Sequence, residues 1–176
     1  MFLESALASA GTHGPEVAVL ARQRIGEGER LVESYRYPVN TMLEMLDVIG
    51  QAAQARGTPY GEALYQSGWS AGHSYVRSSL GRMRAMVATA AGLHRALEGI
   101  PNAASQSINF GEHSYRRLTP GSGELRFKED LIGPAWNTGM VVGSVKAAFA
   151  LAEDRLKFEV CVTDEDASSF LILLDW

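Results

Sequence analysis

The chain has 176 residues, 46% of them hydrophobic and 20% charged, enough to bury a core without help from a disulfide or a structural metal. Sixteen basic against twenty acidic residues leave a formal net charge of −4, which argues against a dedicated nucleic-acid binder. The single cysteine, Cys161, excludes an internal disulfide framework and a cysteine-rich zinc site, and a lone free thiol suits the reducing cytoplasm.

The N-terminus lacks a basic stretch, and Glu4 interrupts its apolar residues, so no secretory signal is expected there. The longest nearly uncharged run, 131–145, contains three glycines and a proline and falls short of the roughly 20 residues that span a bilayer. No repeat, low-complexity tract or long linker interrupts the chain. A single domain over 1–176 is expected, helical through 1–104 and β-rich through 105–176.

Pro15 starts the first assigned helix, which Gly26 and Gly28 end, with 26–30 (Gly-Glu-Gly-Glu-Arg) as a turn. Pro38 opens the second, where Met42, Met45, Leu46 and Ile49 recur at i, i+3, i+4 and i+7 and form one apolar face. Gly57-Thr-Pro stops it. A third helix covers about 60–78, a fourth about 80–91, and a short one, 93–99, closes at Gly99 and Pro101.

The third helix holds Gly61, Gly68 and Gly72, each disfavoured by about 1 kcal/mol relative to alanine in a helix interior. Gly68 and Gly72 share a face that Tyr65, Trp69 and Tyr75 frame. Either a neighbouring helix packs tightly there or a ligand approaches the backbone. The ligand reading takes Tyr65, Gly68, Trp69, Gly72 and Tyr75, with Trp136 from a later helix, as binding residues.

From residue 105 the apolar spacing turns to alternation. Strands are expected over 107–118 and 124–129, joined by 119–123 (Thr-Pro-Gly-Ser-Gly). Leu125 and Phe127 face one way, and Glu124, Arg126 and Lys128 the other. Pro134 then opens a helix whose Gly139 and Gly143 allow close packing onto the sheet. Two more strands follow over 155–163 and 169–176, with Leu156, Phe158, Val160 and Val162 inward. The fold class is α+β: a helical half, then β-hairpin, helix and β-hairpin forming an antiparallel sheet.

Catalytic constellations are missing. The four histidines, His13, His73, His94 and His113, lie far apart in sequence, and no pair has metal-site spacing. Asp164, Glu165 and Asp166 read as a solvated hairpin turn, lacking the glycine and distal glutamate of a calcium loop. No nucleophile elbow, P-loop or dinucleotide fingerprint occurs, so neither a catalytic site nor a metal site is assigned. Arg77 and Arg84, seven apart, could share a helical face and hold a carboxylate or phosphate, or form a solvated face paired with local acids.

Nearly the whole chain resembles a family of similarly sized proteins of unknown function from myxobacteria and related deltaproteobacteria. The resemblance rests on Tyr37-Pro38 before a helix, on 64–69 (Leu-Tyr-Gln-Ser-Gly-Trp) and on 75–81 (Tyr-Val-Arg-Ser-Ser-Leu-Gly). It continues through 97–101 (Leu-Glu-Gly-Ile-Pro), Gly139 and the apolar strand ending in Trp176. It implies a fold and no established activity.

The element order also resembles that of haem nitric-oxide/oxygen-binding domains and vinyl-reductase-type small-molecule-binding domains. In the haem domains a proximal histidine sits on the helix before the first hairpin, and His94 holds a comparable place here. Those domains follow it with a Tyr-x-Ser-x-Arg motif that binds the haem propionates. In this chain the strand region 125–131 reads Leu-Arg-Phe-Lys-Glu-Asp-Leu, with Arg126 and Lys128 but without the motif.

The expected function is a non-enzymatic cytoplasmic sensory or regulatory domain that binds a small molecule or a partner protein, without a cofactor. The alternatives are a structural protein that forms a homodimer and a haem-based gas sensor using His94.

Overall fold

In the computed structural model, residues 2–25 and 37–176 are described. Six helices come first: α1 (Phe2–Thr12), α2 (Pro15–Arg24), α3 (Val39–Gln54), α4 (Tyr60–Arg77), α5 (Ser79–Ala91) and α6 (Leu93–Ser107). The hairpin β1 (Glu112–Thr119) and β2 (Ser122–Lys128) follows, then α7 (Pro134–Phe149), a 3-10 turn over Glu153–Arg155, and the hairpin β3 (Lys157–Val162) and β4 (Phe170–Asp175). The α+β class and the order hairpin, helix, hairpin are those expected. The proposed turn at 26–30 lies outside the described residues.

The chain divides into two compact units, neither of them one continuous segment. The first comprises residues 1–75 and 135–143, and the second 76–134 and 144–176. The compositional boundary near 105 separates helix from strand, whereas the compact units part after Tyr75.

In the first unit, α1, α2 and α3 pack on one another. The apolar face read from α3 is the buried one, with Met42, Met45, Leu46 and Ile49 all in the core beside Val48 and Ala53. Each such large side chain contributes about 1.5–3 kcal/mol on burial. Helix α1 offers the core only alanines among its described apolar side chains, Ala6 and Ala10, both fully buried.

In the second unit the four strands are antiparallel in the order β1-β2-β4-β3. The register pairs Tyr115 with Leu125, Leu125 with Ile172 and Phe127 with Phe170. One face of the sheet therefore carries Leu125, Phe127, Phe170, Ile172 and Leu174, all buried. The Phe127 and Phe170 rings stack at 4.6 Å.

On edge strand β3 the inward reading holds in direction but not in burial. Phe158 and Val162 pair with Leu174 and Phe170 on the core-facing side, yet both are exposed. On the opposite face Glu124 is almost fully buried, because Arg116 and Arg126 donate to its two oxygens at 2.9 and 3.3 Å.

Helix α6 runs to Ser107, through Gly99 and Pro101, where the sequence reading stops it at residue 99. Proline removes one backbone hydrogen bond but fixes a φ close to the helical value. Ser105 and Ser107 back-bond to the Asn102 and Ala103 carbonyls in the final turns. The first strand accordingly starts at Glu112 instead of 107. Between α5 and α6, Gly92 takes φ +89°, a left-handed conformation that glycine adopts without a Cβ penalty.

Candidate functional site

The glycine-rich helix α4 meets α7 within the first unit. A Cβ at Gly68 would strike the Trp136 carbonyl oxygen and lie 2.9 Å from its carbon and 3.0 Å from the Met140 nitrogen. The contact is reciprocal. A Cβ at Gly139 would lie 2.8 Å from the Trp69 nitrogen, and one at Gly143 would lie 3.0 Å from the Trp69 carbonyl carbon. Glycine on both helices thus lets backbone meet backbone. Gly139 and Gly143 do pack closely, but against α4 and not against the sheet as the sequence suggests. Gly61 has no neighbour within 4 Å of its would-be Cβ, so packing does not account for it.

Of the six residues read as ligand-binding, five lie on α4 and Trp136 on α7, all in the first unit. Gly68, Gly72 and Trp136 are buried, while Tyr65, Trp69 and Tyr75 are half-buried. At Gly68 the close approach is made by α7 itself. Trp69 stacks on His73, one turn onward, with ring centroids 5.1 Å apart.

Beside this seam are two residues that the sequence does not single out. Ser67 precedes Gly68 and Thr138 precedes Gly139, at 0% and 1% exposure, and neither hydroxyl has a hydrogen-bond partner. A buried hydroxyl left unpaired costs about 1–3 kcal/mol. Such orphans point to a water molecule or a ligand atom as the missing partner. The signal available in the sequence is a hydroxyl next to an interior glycine on each of two helices.

Arg77 and Arg84 do not share a helix. Ser78 ends α4 and caps α5, its hydroxyl accepting from the Gly81 amide at 3.1 Å. Arg77 is therefore the last residue of α4, and Arg84, within α5, donates to Gln106 at 3.3 Å.

In the second unit His94 is held on several sides. Its Nε2 lies 3.0 Å from the Pro120 carbonyl oxygen, which can only accept, so Nε2 carries the hydrogen. In the neutral ring Nδ1 is then an acceptor, and the Tyr115 hydroxyl donates to it. Trp176 meets the imidazole edge-on with centroids 4.8 Å apart. Burial raises the Tyr115 pKa above its ordinary value of 10.0, and the Glu98 charge adds to this.

The folded state holds the Tyr115 proton more tightly than the unfolded state, so this stability is complete below pH 10 and is lost as pH rises through the raised value. Tyr115→Phe is expected to lower the urea midpoint at neutral pH by the equivalent of about 1 kcal/mol, through the lost bond to His94. It should also reduce the further loss above pH 10. An alkaline loss as large in Tyr115→Phe as in the parent would count against this assignment.

His113 and Asp130 form the other polar centre of this unit. Their side chains are 5% and 0% exposed, with Nε2 and Oδ2 3.1 Å apart. Asp130 Oδ1 also accepts from the Ile132 and Gly133 amides at 2.9 and 3.0 Å, which fixes the loop entering α7. Among the described residues, no group of three or more histidine, cysteine or acidic side chains could hold a metal ion. No described helix is long and apolar enough to cross a membrane.

This architecture has solved counterparts. It superposes on a mutant H-NOX domain of T. Tengcongensis with TM-score 0.71 and 9% identity over 99% of this chain and 94% of that one. The Fe(II) unliganded H-NOX protein of K. algicida gives 0.66 and 12% over 99% and 94%. An oxygen-binding H-NOX domain related to soluble guanylate cyclases, in its oxygen complex, gives 0.69 and 8% over 98% and 91%. At such identities the likeness is one of fold. No curated protein sequence matches the chain. One family model does, over residues 3–176, and the chain belongs to that family, DUF2378, of proteins of unknown function.

Proposed function

We propose that the chain is a cytoplasmic sensory or regulatory domain that binds a small molecule and carries out no reaction of its own. The observation that carries this reading is the fold, shared over nearly the full length with H-NOX domains, one of them solved as an oxygen complex. The orphaned hydroxyls of Ser67 and Thr138 support a polar ligand atom in the first unit, next to the α4–α7 seam. His94 and His113 are both committed to internal hydrogen bonds, which supports a binding role over acid–base work.

Haem held by His94 does not fit the residues present. An axial imidazole must aim a free nitrogen lone pair at the iron. Here Nε2–H is given to Pro120 and the Nδ1 lone pair is taken by Tyr115. The ligand sought is therefore one that does not depend on His94.

Native mass spectrometry of protein purified from its own host tests the proposal. A bound mass is expected that denaturation releases, and that Ser67→Ala with Thr138→Val diminishes. The ligand-free double variant should be as stable as the parent or more so, because orphaned hydroxyls are removed. Added haemin should give no Soret band that responds to His94→Ala. Protein without any bound mass, or a His94-dependent Soret band, would overturn the reading.

A further inference from the structure

Helix α5 is inside out. On one side Gly81 is buried and Ala85 and Ala88 are half-buried, while the large apolar residues are exposed. Leu80, Met83, Met86 and Val87 are 45%, 61%, 72% and 69% exposed. Positions 80, 83 and 87 follow the i, i+3, i+7 spacing by which a helix presents anchors to a groove. An exposed stripe of this kind is uncommon on a surface with no partner.

The sequence around the stripe is also short of acids, although Arg95 pairs with Glu98 at 2.8 Å and Arg84 donates to Gln106 at 3.3 Å. Residues 63–97 contain four arginines, Arg77, Arg82, Arg84 and Arg95, and no aspartate or glutamate. The rest of the chain has twelve basic and twenty acidic residues. At 100° per residue, Arg82 and Arg84 fall at the two borders of the apolar arc. Arginine is suited to bidentate contact with carboxylates.

We propose that α5 is the docking helix for a different protein, one whose apolar groove is rimmed by carboxylates. The arginine borders argue against α5 pairing with α5 of a second copy, since like charges would meet. A second copy offering another of its surfaces would make a head-to-tail contact, which closes only if the rotation between copies permits. A bilayer surface is served less well, because α5 has neither the lysines nor the aromatic residues typical of interfacial helices. This proposal stands independently of the small-molecule reading.

The test places p-benzoylphenylalanine at position 86 of the full chain in its own host, with exposed position 118 as the control. After irradiation the adduct at position 86 is identified, and that protein is purified and titrated with the chain by calorimetry. An adduct with one foreign protein is expected at 86 and not at 118. Its Kd should rise at least about tenfold for Met83→Gln with Met86→Gln, as expected for central anchors. It should also rise for Arg82→Glu with Arg84→Glu, and with added salt. The methionines are largely exposed, so circular dichroism melts of the first variant should match the parent. The proposal is overturned if the purified protein binds both variants as tightly as the parent, or if the only adduct is with a second copy. It is equally overturned if no protein adduct forms, or if the chain instead binds phosphatidylglycerol vesicles through α5.

Discussion

Gly68→Ala should destabilise the first unit by about 3 kcal/mol, towards the upper end of what overpacking ordinarily causes. The new methyl group would meet the Trp136 carbonyl, with the Trp136 carbon at 2.9 Å and the Met140 nitrogen at 3.0 Å. These are backbone atoms of a helix, so no rotamer change relieves the clash and the two helices must move apart. Gly139→Ala should act similarly through the backbone of Tyr65 and Trp69. Gly99→Ala is the internal control. It lies inside α6 with nothing within 4 Å of its Cβ, and should stabilise by up to about 1 kcal/mol. Urea denaturation of the three variants decides the matter. Equal, small effects at Gly68 and Gly99 would mean that α4 and α7 do not meet backbone to backbone.

The glycines show which parts of the fold are legible in the sequence. That Gly68 requires a reason is plain from propensity alone, and close helix packing is one of the two reasons its neighbours suggest. The partner is harder to identify. Gly139 and Gly143 read as facing the sheet, because a chain's order does not say which of two distant elements will meet. The α3 face and the β2 and β3 alternation are readable because Met, Leu, Ile, Phe and Val carry a strong periodic signal, and β4 is readable as an apolar run. No helix is assigned before Pro15, since among the described side chains of α1 those that are buried are small, Ala6, Ser9 and Ala10, which mark an apolar stripe weakly. The strand pattern cannot show that β3 lies at an edge, which is why Phe158 and Val162 are expected in the core.

The candidate site is less legible than the fold, and for a physical reason. Aromatic and glycine residues stand out by composition, which is how Tyr65, Trp69 and Trp136 are found. Ser67, Thr138 and Asp130 matter because burial removes water from a polar atom, and burial is a property of the assembled structure. His94 stands out as a residue of interest. Its engagement depends on Tyr115 and Pro120, which are 21 and 26 residues away in sequence.

Asp130→Ala should have a still larger effect, a loss of about 3–5 kcal/mol. The carboxylate has no exposed side-chain surface and is the acceptor for three donors, His113 Nε2–H and the amides of Ile132 and Gly133. Alanine would remove every one of these acceptors at once and leave the imidazole buried against Phe127, whose ring lies 5.0 Å away. Asp130→Asn keeps one oxygen for the two amides and should recover part of the loss. If His113 matters chiefly through this pair, its removal should cost less in the Asp130→Ala background than in the parent. A double-mutant cycle with His113→Phe therefore separates the His113 bond from the loop bonds. The same Asp130→Ala substitution should loosen the entry to α7, seen as faster hydrogen exchange at Ile132 and Gly133 than in the parent. An unchanged denaturation midpoint for Asp130→Ala would show that the carboxylate does not hold this loop, and that the polar centre of the second unit lies elsewhere.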